Sequence, residues 1–102
     1  MANLERIHLF DMALECNIPS YMIDGLLDYI LEHCPAGSFL TAILCNDLRQ
    51  ACNKADETNK HLIWEYVYFL FNHAPMGCWG SEERVAEWLE SGRKMREAAN
   101  PR

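Results

Sequence analysis

The chain has 102 residues, of which 50% are apolar and 24% charged, and its formal net charge at pH 7 is −6. This size and composition are typical of one globular domain and exclude a disordered or collagen-like chain. Binding to phosphates requires a basic footprint that this acidic chain lacks, so we expect no direct contact with nucleic acid.

The sequence also bears on location. Its longest apolar run, Leu62 to Phe71, contains Glu65 and is half the length of a membrane span, which needs about 20 residues. The first residues show no basic leader followed by an apolar stretch. The five cysteines form an odd set without a Cys-x-x-Cys pair, as expected of reduced thiols. We therefore expect a cytoplasmic protein without a membrane partner.

Two amphipathic helices are predicted before residue 35. The first covers about residues 3–16 and ends near Asn17. Its apolar stripe consists of Leu4, Ile7, Phe10 and Leu14. Pro19 suits the first turn of the second helix, whose apolar residues recur at helical spacing until Pro35 ends it.

The next two predicted helices meet near residue 55. Ser38 can cap a third helix that runs to Ala55, and Asp56 can cap a fourth that carries the apolar run and stops near His73. A strand is the alternative for this run, because its aromatic and β-branched residues favour strands. Helix is preferred because four polar residues would then share one narrow stripe. They are His61, Glu65, Tyr68 and Asn72.

Ser81 caps a predicted fifth helix, and Gly92 is expected to end it. The sequence therefore predicts an all-α protein: a single compact domain, residues 1–92, of about five helices around a buried aromatic fourth helix. Residues 93–102 are expected to form a mobile C-terminal tail.

Two residue pairs could carry chemistry. His61 and Glu65 are predicted to lie one helical turn apart, as a metal pair or an acid/base couple would. His73 and Cys78 bracket a loop and could form a Cys/His nucleophile. Neither pair has the third group that such sites require, so we expect no enzyme, no metal and no cofactor. A small metal-dependent or His/Glu-based enzyme, using His61, Glu65 and His73, is the alternative.

Two surface features suggest binding to a partner. Residues 1–65 hold ten acids against four bases, and among them Asp24, Asp28 and Glu32 are spaced to stack on one helix face. This acidic ridge either is a solvated face or docks against a basic surface. Trp79 either folds onto the fifth helix or contacts a partner, since tryptophan is frequent at interface hot spots. Asp24, Asp28, Glu32 and Trp79 are therefore the predicted partner-binding residues.

Residues 72–81, Asn-His-Ala-Pro-Met-Gly-Cys-Trp-Gly-Ser, resemble a motif of small uncharacterised accessory proteins of tailed bacteriophages. The resemblance covers about residues 18–92 and includes the stretch Gly37-Ser38-Phe39-Leu40. It implies a phage origin and a place in the host cell, but no reaction. Phage proteins of this kind often occupy surfaces of host machines, and anti-CRISPR proteins are one such class.

By this analogy the expected function is non-enzymatic. The protein would bind and modulate or inhibit a host protein complex, with its acidic face against a basic nucleic-acid-binding surface. A homodimeric structural or assembly protein is a further alternative, because the chain has more aromatic surface than one thin core can cover.

Overall fold

The structure, a computed structural model, describes residues 4–99. Over that range the chain forms α-helices and two short 3-10 helices, so the predicted all-α single domain is confirmed, with six α-helices instead of about five. The α-helices are α1 (Leu4–Glu15), α2 (Ser20–Glu32), α3 (Ser38–Leu44), α4 (Leu48–Lys54), α5 (Ile63–His73) and α6 (Glu82–Ala99). The 3-10 helices are Asn59–His61 and Met76–Cys78.

The turns around α2 follow the signals in the sequence. Asn17 takes a left-handed conformation (φ 68°) just after α1, and Pro19 precedes the first residue of α2. At the other end His33 is also left-handed (φ 57°), and its N–H donates to the carbonyl of Tyr29. Such left-handed caps satisfy the last carbonyls of a helix and reverse the chain. Both ends of α2 are therefore set locally.

The predicted inner face of α1 is wrong except at Phe10, which is half-buried and packs against the core. Leu9 and Ala13 are the buried residues of α1, whereas Leu4, Ile7 and Leu14 of the expected stripe are exposed. The small side chain of Ala13 is completely buried in the core. Arg6 reaches from α1 to two aspartates of α2, at Asp24 and Asp28, and these contacts favour this rotation of the helix.

The single helix predicted from Ser38 to Ala55 is also wrong, because it is broken in two. Asn46 is left-handed (φ 61°) between α3 and α4, a conformation that asparagine adopts more readily than most residues. Asp47 then caps α4, its carboxylate accepting the N–H of Gln50 at 3.1 Å. Asn46 and Asp47 therefore do not lie inside one helix: α3 ends before Asn46, and Asp47 starts α4.

The aromatic run forms a helix, but it is the fifth α-helix and is not buried on all sides. α5 begins at Ile63, and the carboxylate of Asp56, which was predicted to cap this helix, instead accepts the N–H of Asn59 (2.7 Å) at the start of the preceding 3-10 helix. Within α5 the buried side chains are Tyr66, Phe69 and Leu70. Leu62 and Ile63 are partly buried against the core. The remaining apolar residues of the run, Trp64, Val67, Tyr68 and Phe71, are exposed.

Gly92 does not end the last helix, which contradicts the prediction: α6 continues to Ala99. Gly92 is buried, and a Cβ atom there would lie 2.4 Å from the Cβ of His33 and 2.8 Å from its carbonyl oxygen. The glycine therefore allows α6 to approach the end of α2 closely. Residues 93–99 of the predicted tail are helical, and residues 100–102 lie outside the described part of the chain.

Hydrogen bonds fix α6 and its preceding loop to α2. The buried Tyr29 donates its hydroxyl to the carbonyl of Cys78 (2.6 Å), and Trp88 Nε1 donates to the carbonyl of Tyr29 (2.8 Å). The ring of His33 stacks on that of Trp88 with centroids 3.9 Å apart. Over residues 4–99 the structure contains no helix long and apolar enough to cross a membrane.

Candidate functional site

The residues of the alternative enzyme do not form a shared site. His61 lies in the 3-10 helix before α5, so it and Glu65 are not on one continuous helix. His73 ends α5, where its ring lies 5.4 Å from the ring of Phe69. Within residues 4–99 no three His, Cys, Asp or Glu side chains are placed to hold a metal ion.

Cys78 belongs to the hydrophobic core. It is completely buried, and this burial raises the pKa of its thiol to about 11. A thiolate is the nucleophilic form of cysteine, and reactive cysteines have a lowered pKa and an electropositive setting. The buried environment of Cys78 instead raises the pKa of its thiol. The Cys78 side chain is therefore a packing group below the loop that carries Trp79.

The acidic ridge is partly neutralised by a residue that the sequence analysis did not connect with it. Arg6 Nη2 lies 3.1 Å from Asp24 Oδ1, and Arg6 Nη1 lies 3.0 Å from Asp28 Oδ1. Glu32, one turn further on, is exposed, and its carbonyl accepts from Arg96 Nη1 at 3.3 Å. Arg6 is on another helix, so helical spacing within α2 could not reveal it. The role of the ridge in binding stays a prediction.

Trp79 packs against the core and is also partly exposed, and its contact with a partner stays a prediction. It is half-buried and packs against the core, directly after the 3-10 helix Met76–Cys78. The following residue is tied to α3, since Gly80 N–H donates to the carbonyl of Leu44 at 2.7 Å. The exposed part of Trp79 lines an open groove on the surface. Trp79 thus supports the loop and also faces solvent at a candidate site.

The exposed face of α5 is the strongest surface feature of the molecule. Trp64, Val67, Tyr68 and Phe71 follow the i, i+3, i+4, i+7 spacing of one helix face and are all exposed. Trp64 is 68% exposed and Phe71 is 77% exposed. The rings of Trp64 and Tyr68 stack with centroids 5.0 Å apart. A helix that is apolar on both faces is normally covered on both.

This face continues into the groove beside Trp79. The groove has a volume of about 390 Å³, and Val67, Phe71, Met76 and Trp79 form its apolar walls. Met76 is 78% exposed. On the other side Val67 also adjoins Leu48, which is 65% exposed.

Together these residues form what we call the outer apolar surface. Its members are Leu48, Trp64, Val67, Tyr68, Phe71, Met76 and Trp79. Four of them, Leu48, Trp64, Phe71 and Met76, are 65–78% exposed. Large apolar side chains exposed close together mark a contact surface more often than a bare solvent face.

Arg84 places a positive charge at the edge of the groove. Its Nη1 donates to the carbonyls of Trp79 (3.3 Å) and Met76 (3.5 Å). Its side chain forms no ion pair with any carboxylate in residues 4–99. The candidate site is therefore an apolar surface with one fixed guanidinium at its rim.

Comparisons with protein-family models, with curated proteins and with solved structures give no match to this chain. The function must then be argued from the site itself. Trp79 of this site was predicted from the sequence, whereas Trp64, Phe71 and Arg84 were not. A signal was present: nine apolar residues in a ten-residue helical run cannot all face one thin core.

Proposed function

We propose that this protein is not an enzyme and acts by binding another protein through the outer apolar surface. The observation that carries the proposal is the exposed apolar face of α5, opposite Tyr66, Phe69 and Leu70 of the core. Together with Leu48, Met76 and Trp79 this face offers seven apolar side chains to a partner, and a standard interface takes about 800 Å² from each partner. Aromatic residues such as Trp64 are also the kind that dominate binding energy at interfaces.

The resemblance to phage proteins favours a host protein complex as the partner, met in the host cytoplasm. Occupying a surface of that complex would modulate or inhibit it, as anti-CRISPR proteins do. The exposed carboxylates of α2, Glu32 in particular, would assist association if the partner surface is basic. In this proposal the apolar contact supplies affinity and the acidic face supplies orientation.

Affinity capture with a matched pair of variants tests the proposal. Tagged protein is used as bait in lysate of infected host cells, and the retained proteins are quantified by mass spectrometry. The double variant Trp64→Ala/Phe71→Ala should retain at least tenfold less partner, because truncating two interface anchors costs more than about 1 kcal/mol each.

The control is the double variant Leu4→Ala/Met95→Ala, which truncates two exposed apolar residues outside the outer apolar surface. It should capture the partner as the wild type does, and circular dichroism should show all three proteins equally folded. Equal capture by the Trp64→Ala/Phe71→Ala variant would remove the outer apolar surface from the proposed function.

A homodimer is the second candidate, and one observation favours it. The exposed face of α5 is centred between Val67 and Tyr68, so two copies related by a twofold axis could pair antiparallel. Trp64 of one copy would then lie opposite Phe71 of the other. Light scattering over a range of protein concentrations distinguishes a dimer from a monomer that is free to bind a different protein.

A further inference from the structure

We infer that the groove beside Trp79 binds an amphipathic helix of the partner protein that carries a carboxylate side chain, which pairs with Arg84. This inference rests on the proposed function and specifies the chemistry of the bound segment. Apolar side chains of that helix would lie against Val67, Phe71 and Met76, and its Asp or Glu would reach the rim of the groove.

The charge of Arg84 is available for an ion pair with a ligand. The chain has 15 acidic residues and 9 Lys and Arg residues, yet within residues 4–99 no carboxylate lies in ion-pair distance of Arg84. The two carbonyls that hold the side chain both accept from Nη1. The Nε and Nη2 groups therefore remain to donate, and a guanidinium edge of this kind suits a carboxylate.

The carbonyls of Met76 and Trp79 also restrain the guanidinium before any ligand arrives. Gly80 has a φ of +114°, and a Cβ atom there would lie 2.9 Å from Arg84 Nη1. The glycine thus leaves space for the arginine beside the carbonyls of Met76 and Trp79. A group that is already positioned loses less conformational freedom on binding, which favours affinity.

The size of the groove suits the apolar face of a helix. A volume of about 390 Å³ accommodates several side chains and lies within the range of about 300–1,000 Å³ that is typical of ligand clefts. A helix places apolar residues at i and i+3 or i+4 on one face, with a polar residue beside them. Laying that face into an apolar groove is a common mode of peptide recognition.

The net charge of −6 repels an acidic segment at long range, so it does not favour this partner by steering. At physiological salt such repulsion is screened beyond about 8 Å. A carboxylate within hydrogen-bond distance of Arg84 is governed by the local contact instead. The inferred effect is therefore on affinity and register, and not on the association rate.

Three matched peptides test the inference. Each is a 16-residue helical peptide with the same Leu/Phe face, and the residue one turn beyond the apolar pair is Glu, Gln or Lys. Binding to the full chain is measured by fluorescence polarisation, and the site is mapped by amide chemical shifts in NMR. The Glu peptide should bind about tenfold more tightly than the Gln peptide, and the Lys peptide most weakly. Shifts should centre on Met76, Trp79 and Arg84.

Variants of the protein separate charge from packing. Arg84→Gln should weaken the Glu peptide about tenfold and leave the Gln peptide unchanged. Arg84→Lys keeps the charge without the planar fork, so its affinity for the Glu peptide should lie between those of the wild type and Arg84→Gln. Arg49→Gln, an exposed arginine of α4, is the control and should change neither affinity.

Equal affinity of the Glu and Gln peptides, shifts remote from the groove, or no binding of any peptide would overturn the inference. So would a dimer in light scattering that Arg84→Gln dissociates, because the occupant would then be a second copy. None of these results contradicts the proposed function if capture from lysate still depends on Trp64 and Phe71. Failure of the inference about the groove is thus distinguishable from failure of the proposed function.

Discussion

Two glycines inside helices have opposite structural roles. Gly25 in α2 has space for a side chain, since an added Cβ atom would meet only Leu40 Cδ1 at 3.9 Å. Gly92 in α6 has none, because the same atom would lie 2.4 Å from the Cβ of His33 and 2.8 Å from its carbonyl oxygen. Gly25 therefore costs helix stability without a packing benefit, whereas Gly92 is required by the contact between α2 and α6.

This contrast gives a prediction with its own control. Gly25→Ala should raise the free energy of unfolding by up to about 1 kcal/mol, the difference in helix propensity. Gly92→Ala should lower it by roughly 1–3 kcal/mol, because overpacking against backbone outweighs that gain. Urea denaturation measures both. A stabilised Gly92→Ala variant would show that α6 does not pack closely on the end of α2.

At the scale of elements, a series of hydrogen bonds fixes the start of α5. Tyr66 donates its hydroxyl to Asn59 Oδ1 (2.6 Å), and Asn59 is almost completely buried. The carboxylate of Asp56 accepts from the N–H of Asn59 (2.7 Å) and from the hydroxyl of Tyr21 (2.8 Å). α2 and α5 are thereby joined through the 3-10 helix, which determines the face that α5 turns outward.

The hydrogen bonds of Asp56 predict that the stability of the fold depends on pH. The N–H of Asn59 and then the hydroxyl of Tyr21 lower the pKa of Asp56 below its ordinary value, so the folded state binds a proton less readily than the unfolded state. This contribution is present above the ordinary aspartate pKa, about 3.9, and is lost as the pH falls through the lower folded value.

Asp56→Asn removes that contribution. The difference in free energy of unfolding between wild type and Asp56→Asn should be largest above about pH 5 and should shrink below about pH 4. Urea titrations from pH 3 to 7 measure it, with the exposed Asp11→Asn on α1 as control. A difference that does not vary with pH would mean that Asp56 acts only as a neutral cap.

Local signals were sufficient for most helix boundaries and insufficient for orientation. Pro19 and Pro75 correctly located the start of α2 and the end of α5, because the geometry of proline is set by its own ring. Asn46 was predicted to lie inside one continuous helix, because the sequence does not show whether an asparagine is helical or left-handed. The side that α5 turns to the core depends on contacts with distant residues, which spacing alone does not contain.

At the scale of the molecule, the acidic ridge shows how tertiary contacts change a surface that helical spacing had correctly located. The three acids do share a face of α2, but Arg6 from α1 pairs with Asp24 and Asp28. Those two aspartates are therefore part of the α1–α2 contact as well as of the surface. Reversing their charge would disturb the position of α1, so Glu32 is the better residue for testing the ridge alone.

The two candidate surfaces predict different responses to salt, and this separates them in one experiment. If the ridge drives binding, raising NaCl from 50 to 500 mM should release most of the captured partner, because exposed charges are screened over a few ångströms at high salt. If the outer apolar surface drives binding, most of the partner should stay bound, since apolar burial is not weakened by salt.

We expect retention at 500 mM NaCl. We also expect Glu32→Gln to slow association modestly without changing the amount bound at equilibrium by more than about threefold, as is typical when a charge at the rim of an interface is removed. Surface plasmon resonance with the identified partner measures both rates. Loss of the complex at 500 mM NaCl, together with a tenfold weaker Glu32→Gln variant, would transfer the binding role from α5 to the acidic face of α2.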